Sequence, residues 1–378
     1  MPESQEGQSF DEFGFCNVCR SQEDKMRIDW LQRREGLSLI LERFRTLHKD
    51  DEYDCIIPIS GGKDSTFQLH VLTKEFNMRP LAVTFSHNWF SPIGFYNLMN
   101  ALETFDVDHI MLTPKRSTVN KSARRSLDKI GDACWHCHAG IGSFPLKVAI
   151  QHNIKLVIWG ESVAEHSSRG TYANPIMKFD QDYFTKVSAK VSVSDFTSQD
   201  FDPREMKKFE AVDSTVYKEK EIFGIHLGDY IYWDEERQTE FVMEKYGWKR
   251  DSIEGTYKGY KSTECIMAGV HDFACYLKRG YGRTSFHLSA DIRSGIISRD
   301  DVSEDLLNIE RTEPATLEYF EEITGIGSTE FQKILEGHRH PSLKNISLPI
   351  IPKQKGVQRK RLFVDFLKDA IESQNHVS

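Results

Sequence analysis

One hexapeptide constrains this chain more than anything else in it: Ser60-Gly61-Gly62-Lys63-Asp64-Ser65. The apolar run that leads into it, YDCIIPIS at 53–60, has the length and composition of a buried strand. The stretch that begins within it, 62–76, sets Leu69, Leu72 and Phe76 on one helical face. A Gly-rich turn between a strand and a helix is a ready anion site. The first backbone N–H groups of a helix have no partners within it, and they carry the positive end of its dipole. Two glycines let the chain turn tightly and let a phosphate approach the backbone. Ser60, Ser65 and Thr66 add hydroxyls, Lys63 a point charge, and Asp64 a carboxylate suited to Mg2+. The spacing is not that of the kinase and GTPase P-loop, G-x-x-x-x-G-K-S/T. The string in its strand–turn–helix setting reads as a nucleotide-binding loop rather than a ligand-free turn.

The alternation continues beyond the loop. Strands are expected at 80–86 (PLAVTFS), 109–113 and 155–160 (KLVIWG), and helices at 28–48, 93–105 and 143–152. Such alternation predicts an α/β fold, a mostly parallel sheet with helices on both faces. The rhythm breaks at about 165–220, which reads as a polar, partly helical insertion, and a strand-like run resumes at 225–233. Ser298 and Asp301 form a capping-box pattern, and short helices are expected at 314–323, 329–336 and 361–371. The chain thus divides into a cysteine-bearing segment and helix (1–49), the loop-bearing domain (50–300) and a helical C-terminal region (301–378).

Composition narrows the function class. A net charge of -8, from 49 Lys+Arg against 57 Asp+Glu, gives no global attraction to nucleic acid. No window approaches the ~18 apolar residues of a membrane span. The start has neither the basic nor the apolar stretch of a secretory signal. An odd number of cysteines in such a chain fits a reducing compartment, so a cytoplasmic protein is expected. Two C-x-x-C pairs, Cys16/Cys19 and Cys134/Cys137, each offer two thiolates. Together they would complete a tetrahedral Zn2+ site if the fold brought them together. An iron–sulfur cluster and unliganded or redox thiols are competing readings. Cys55, Cys265 and Cys275 read as bland thiols.

The hexapeptide is similar to the PP-loop of the ATP pyrophosphatases. Within that superfamily the chain, from about residue 10 to 335, resembles the N-acetyl sugar amidotransferases. The strings that carry the likeness are FDEFGFCNVCR, IDWLQRREGL, YDCIIPISGGKDST, GD-x-x-W at 131–135, VIWGE, FDQDYFTKVSAKVS, LGDYIYWD, EGTYKGY and LKRGYGRTSFHLSADIRSG. Many members carry a further C-x-x-C upstream of the first pair. This sequence begins too late to include one, so the expectation is that either Cys16/Cys19 recruit Cys134/Cys137 or the zinc is absent.

The resemblance implies an enzyme of surface-polysaccharide, lipopolysaccharide O-antigen or flagellin-glycan synthesis that turns a sugar acetamido group into an acetamidino group. ATP adenylates the amide oxygen, pyrophosphate leaves, and ammonia then displaces AMP. The resemblance places adenine near Val83 and Phe85 and a closing loop at Gly160 and Glu161. It makes Lys63, Asp64 and Glu161 the expected catalytic residues, with Asp64 and Glu161 the candidates for Mg2+. Lys278, Arg279, Arg283, His287 and Arg293 are expected to bind phosphates or an acidic sugar, either a nonulosonic acid or a nucleotide-linked uronic acid. A solvated basic loop is the bland alternative for that stretch. Residue 2 is Pro2, so an N-terminal cysteine nucleophile is missing, and no cysteine stands in a G-x-C-x-G setting. Ammonia is therefore expected from a separate glutaminase subunit. The rival reading is a PP-loop tRNA thiolation enzyme using Cys134 and Cys137 for a cluster or for sulfur transfer.

Overall fold

The apolar runs condense into five parallel strands: β1 (Cys55–Pro58), β2 (Pro80–Phe85), β3 (His109–Leu112), β4 (Leu156–Trp159) and β5 (Phe223–His226). The computed structural model describes residues 1–165, 170–173, 175, 179, 183–184 and 188–375. The strand order is β3-β2-β1-β4-β5. Every residue of β2 is buried, which explains its continuous apolar run, since a strand covered on both faces has no wet side to alternate with. From β1 the chain runs outward to β3, then returns to lay β4 on the other side of β1. The reversal lies between β1 and β4. In open α/β sheets, ligands bind outside the carboxyl ends of the strands at such a switch point.

Helices α1 (Asn17–Arg27), α2 (Trp30–Leu47), α3 (Lys63–Leu69), α4 (Pro92–Phe105), α5 (Arg116–Ile130) and α6 (Trp135–Gln151) precede β4. Asp29 starts α2 by accepting the N–H groups of Leu31 and Gln32. Helix α3 runs on as a π-helical turn over His70–Glu75. Helix α6 packs against β1, β2 and β4. Gly140 makes this approach possible, because a Cβ there would stand 2.1 Å from the Phe85 ring. Seven further helices follow β5: α7 (Glu235–Tyr246), α8 (Ala268–Arg279), α9 (Arg283–Arg293), α10 (Glu304–Arg311), α11 (Leu317–Thr324), α12 (Ser328–Gly337) and α13 (Phe363–Asn375). Among the described residues no helix is long and apolar enough to cross a membrane.

The chain forms two compact units that do not follow its linear order. The first takes Met1–Phe85, Asn100–Thr113 and Trp135–Trp248; the second takes Ser86–Met99, Pro114–Cys134 and Lys249–Ser378. The whole sheet lies in the first unit, with α1, α2, α3, α6 and α7. The second holds α5 and α8 to α13.

The α/β expectation holds, and several boundaries differ. The run expected at 225–233 is strand only over Phe223–His226, because Leu227–Asp229 closes into a 3-10 turn. Helix α6 starts at Trp135, well before the expected 143, and so takes Cys137 of the second C-x-x-C into its first turn, with Cys134 just ahead of it. Helix α5 was not expected at all, although Val119, Ala123 and Leu127 recur at four-residue spacing and are buried. The Ser298/Asp301 capping box forms, but on the 3-10 turn Arg299–Asp301, while Ser303 caps α10. The expected insertion and the string FDQDYFTKVSAKVS lie partly outside the described residues; helical segments at Val193–Phe196, Pro203–Met206 and Ser214–Glu219 belong to its described part.

Candidate active site on the carboxyl edge of the sheet

The hexapeptide leaves β1 at the switch point. Gly61 has φ 84°, a left-handed conformation that costs other residues roughly 1–2 kcal/mol. Gly62 is the N-cap of α3, and no side chain caps the helix there. The hydroxyls shape the loop from within. Ser60 Oγ accepts the Gly62 N–H at 3.3 Å, while Ser65 Oγ and Thr66 Oγ1 donate to the Gly62 carbonyl at 3.0 and 3.1 Å. Trp248, just beyond α7, holds the turn from outside by donating its indole N–H to the Gly61 carbonyl at 2.9 Å. Lys63 is buried at 1% exposure. Its Nζ lies 2.6 Å from Asp64 Oδ1 and 4.0 Å from Glu235 Oε1 on α7. Asp64 keeps 31% side-chain exposure, so its carboxylate remains reachable from solvent.

The loops after β4 and β5 are stitched together beside it. The Gly228 N–H donates to the Gly160 carbonyl at 2.9 Å, and a Cβ on Gly228 would meet the Ser162 nitrogen at 2.7 Å. His226 Nδ1 lies 2.7 Å from the Glu161 carbonyl. Burial lowers His226 to about 4, only partly offset by that carbonyl. The ring is therefore neutral at physiological pH, and the contact requires the proton on Nδ1. Ser162 donates its hydroxyl to buried Asp229. Burial raises Asp229 to about 6, against the Ser162 hydroxyl and the Arg33 charge that pull it down.

Helix α1 is moored to this edge. Ser21 Oγ donates to the Ala164 carbonyl at 3.1 Å. Buried Lys25 pairs with Glu165 and donates to the Trp233 carbonyl, and Tyr172 donates its hydroxyl to the same carboxylate at 2.6 Å. The Cys16/Cys19 helix thus shares its anchors with the loop after β4. The two sulfurs lie 3.4 Å apart, a separation that suits two thiolate ligands of one metal.

Two buried polar groups point to a ligand in this unit. Gln238 on α7 is 4% exposed, and both its amide atoms lack a hydrogen-bond partner among the described residues. So does the indole nitrogen of buried Trp233. An unsatisfied buried amide costs about 1–3 kcal/mol, so a helix that brings Glu235 to Lys63 and carries an unsatisfied Gln238 has the character of a site wall. Sequence reasoning missed Glu235, Gln238 and Trp248, since nothing local marks a residue distant in sequence as a loop's neighbour. It missed Asp229 too, although LGDYIYWD contained it. The Val83 and Phe85 side chains are buried in the core, and the Val83 carbonyl already accepts the Ile59 N–H at 2.9 Å. What this strand end could offer a base is the backbone beyond Val83.

Most of the basic stretch of the second unit is engaged internally. Lys278 is buried at 8% exposure and donates to the Ile130 and Gly131 carbonyls at 3.1 and 3.0 Å. Arg283 makes a two-pronged pair with Asp272 at 3.0 and 2.9 Å. His287 Nδ1 is 2.7 Å from Thr256 Oγ1, and Arg293 donates to Ser289 Oγ at 2.7 Å. Arg279, in the last turn of α8, is half-buried. Neither a solvated loop nor an open cation patch describes this region. The four expected metal cysteines divide between the units, with Cys16, Cys19 and Cys137 in the first and Cys134 in the second. Within the second unit Cys134 stands with Asp132 and His271.

Residues 235–347 match a family described as LPS biosynthesis protein WbpG-like, C-terminal domain. The match begins at Glu235, the carboxylate that faces Lys63. Among curated proteins, an uncharacterized protein of Methanocaldococcus jannaschii, MJ1599, is 21% identical over 260 residues, covering 68% of this chain and 73% of its own. Among solved structures, NMN synthetase from Francisella tularensis aligns at 12% identity and TM-score 0.30, over 73% of this chain and 97% of its own. The U34-tRNA thiolase NcsA from Methanococcus maripaludis, with its 4Fe-4S cluster, aligns at 13% identity and TM-score 0.31, over 84% and 81%.

Proposed function

We propose that this protein is an ATP-dependent, AMP-forming amidotransferase that converts an acetamido group of a bacterial surface-glycan sugar into an acetamidino group. The observation that carries the reading is the Gly61-Gly62 turn at the switch point, with no side chain capping α3 and with buried Lys63 between Asp64 and Glu235. The WbpG-like domain supports the glycan context.

An amide carbonyl is a poor electrophile, and its oxygen a poor leaving group. Transfer of the α-phosphoryl group to that oxygen gives an imidate-type adenylate and pyrophosphate. Ammonia attacks the carbon, the C–O bond breaks, AMP leaves, and the nitrogen sheds a proton to give the amidine. The protein's task is to hold the triphosphate and place the amide oxygen in line with the α-phosphorus. The Gly62 turn and the start of α3 would receive phosphate oxygens. Mg2+, held by Asp64 and Glu161, would neutralise charge on the departing pyrophosphate. Lys63 would exchange a carboxylate partner for a phosphate. Ammonia would come from a separate glutaminase subunit.

The test is to incubate the protein with ATP, Mg2+, ammonium and a panel of acetamido sugars, following AMP and pyrophosphate and the product mass. AMP release that depends on one sugar, with a product in which NH replaces O, supports the reading. Sugar-independent behaviour combined with iron- and sulfide-dependent thiolation of tRNA would replace it with the thiolation enzyme.

A further inference from the structure

We propose that the second unit contains a metal site of its own, in which Asp132, Cys134 and His271 hold one Zn2+ ion. The site depends neither on the C-x-x-C pattern nor on the proposed reaction. The chain leaves α5 through Gly131, whose φ of 62° turns it sharply. Asp132 and Cys134 follow at once, and Asp132 Oδ1 accepts the Cys134 N–H at 2.8 Å. His271 arrives from α8, far away in sequence, with Nδ1 3.1 Å from Asp132 Oδ1. One ligand atom from each of the three residues lies within 4.8 Å of the others. Ligand atoms of tetrahedral zinc lie roughly 3–4 Å apart, so closure needs a contraction of about an ångström at most.

The chemistry of the set suits this ion. A thiolate and an imidazole favour zinc among common divalent metals, and a carboxylate is a regular third ligand. Charge points the same way. Asp132 and Cys134 are 3% and 9% exposed, and a dication balances one carboxylate and one thiolate where an isolated buried anion would be costly. The other face of the imidazole is also occupied, since Cys275 Sγ lies 3.9 Å from His271 Nε2. A ring that ligates through one nitrogen commonly gives its other N–H to such an acceptor, which fixes the tautomer. Three protein ligands leave a fourth position for water, the arrangement of an open rather than a closed zinc site. The neighbouring Lys278 bonds to the Ile130 and Gly131 carbonyls hold the turn that presents Asp132.

The experiment uses the full chain, purified without chelator, with metal measured by mass spectrometry and cobalt substitution read by absorbance. The wild type is expected to hold about one zinc per chain, to lose melting temperature on chelation, and to regain it with added zinc. Cobalt should show a thiolate-to-metal charge-transfer band. His271→Gln and Cys134→Ser should each lose that equivalent, whereas a Cys16→Ser/Cys19→Ser double variant should keep it. Two equivalents in the wild type, falling to one in His271→Gln, support the site equally. Metal that remains in His271→Gln and leaves with the Cys16/Cys19 pair overturns it. Should the variants fail to fold, the wild type decides alone: no bound metal, no cobalt band and no shift on chelation overturn the site.

Discussion

Two regions of this molecule carry conspicuous cations in the sequence, and the structure treats them differently. At 60–66 the lysine sits beside a backbone turn with a left-handed glycine and a helix start that no side chain caps. At 278–293 Lys278 meets two carbonyls, Arg283 a carboxylate and Arg293 a serine hydroxyl of their own unit. In the first region the backbone conformation leaves donors to offer. In the second, tertiary partners have taken the charges up. A cation near glycines is therefore weak grounds for an anion site until its partners are known; the turn geometry is the stronger sign.

That contrast can be broken in four ways, from the largest effect down. Lys258 pairs with Asp291 at 2.6 Å, both nearly buried, and Tyr257 donates to the same carboxylate. Lys258→Met should cost about 3–5 kcal/mol by leaving a buried charge unpaired, read from urea unfolding, with the KM for ATP unchanged. A changed KM at wild-type stability would make the second unit's cations functional after all. In the first region, Asp64→Ala should lower AMP formation by about 10²–10³-fold in a chain that still folds, with a smaller loss of stability than Lys258→Met because Glu235 still faces Lys63. Near-wild-type turnover would remove Asp64 from the mechanism.

The third test uses pH. Asp229 is raised from 3.8 to about 6 by burial. Between those values the folded state binds more protons than the unfolded one, so raising pH through this window lowers stability. The total is up to about 3 kcal/mol for a shift of about two units. Asp229→Asn should flatten the stability profile between pH 4 and about 6, and an unchanged slope would assign it to another group. The smallest effect belongs to Gln238. If its unsatisfied amide meets the nucleotide, Gln238→Leu should raise the KM for ATP about tenfold, the equivalent of one hydrogen bond to a charged group. An unchanged KM with a gain in stability would mean that the amide is merely buried.

Local signals made much of the fold legible. The runs CIIP, PLAVTF and LVIW are apolar without alternation because β1, β2 and β4 are almost wholly buried, and that pattern survives without any tertiary knowledge. The loop was legible for a similar reason, since Gly61 and Gly62 report a backbone need at their own positions. Helix α5 was missed because only the four-residue recurrence of Val119, Ala123 and Leu127 marks it within a polar stretch. The partners of the loop, Glu235 and Trp248, were not legible, because contact between distant segments leaves no mark in either one alone.

By itself the sequence determined the parallel α/β architecture, the strand–turn–helix loop and the residue types that can meet a phosphate. These depend on hydrophobic period, glycine and capping, which act within a few residues. Tertiary structure alone decided which charges remain available and which ligands gather. It paired Arg283 with Asp272, set Lys278 on the end of α5, and drew His271 toward Asp132 and Cys134. Such pairings are set by long-range packing, and a buried charge takes whichever partner the fold brings within reach.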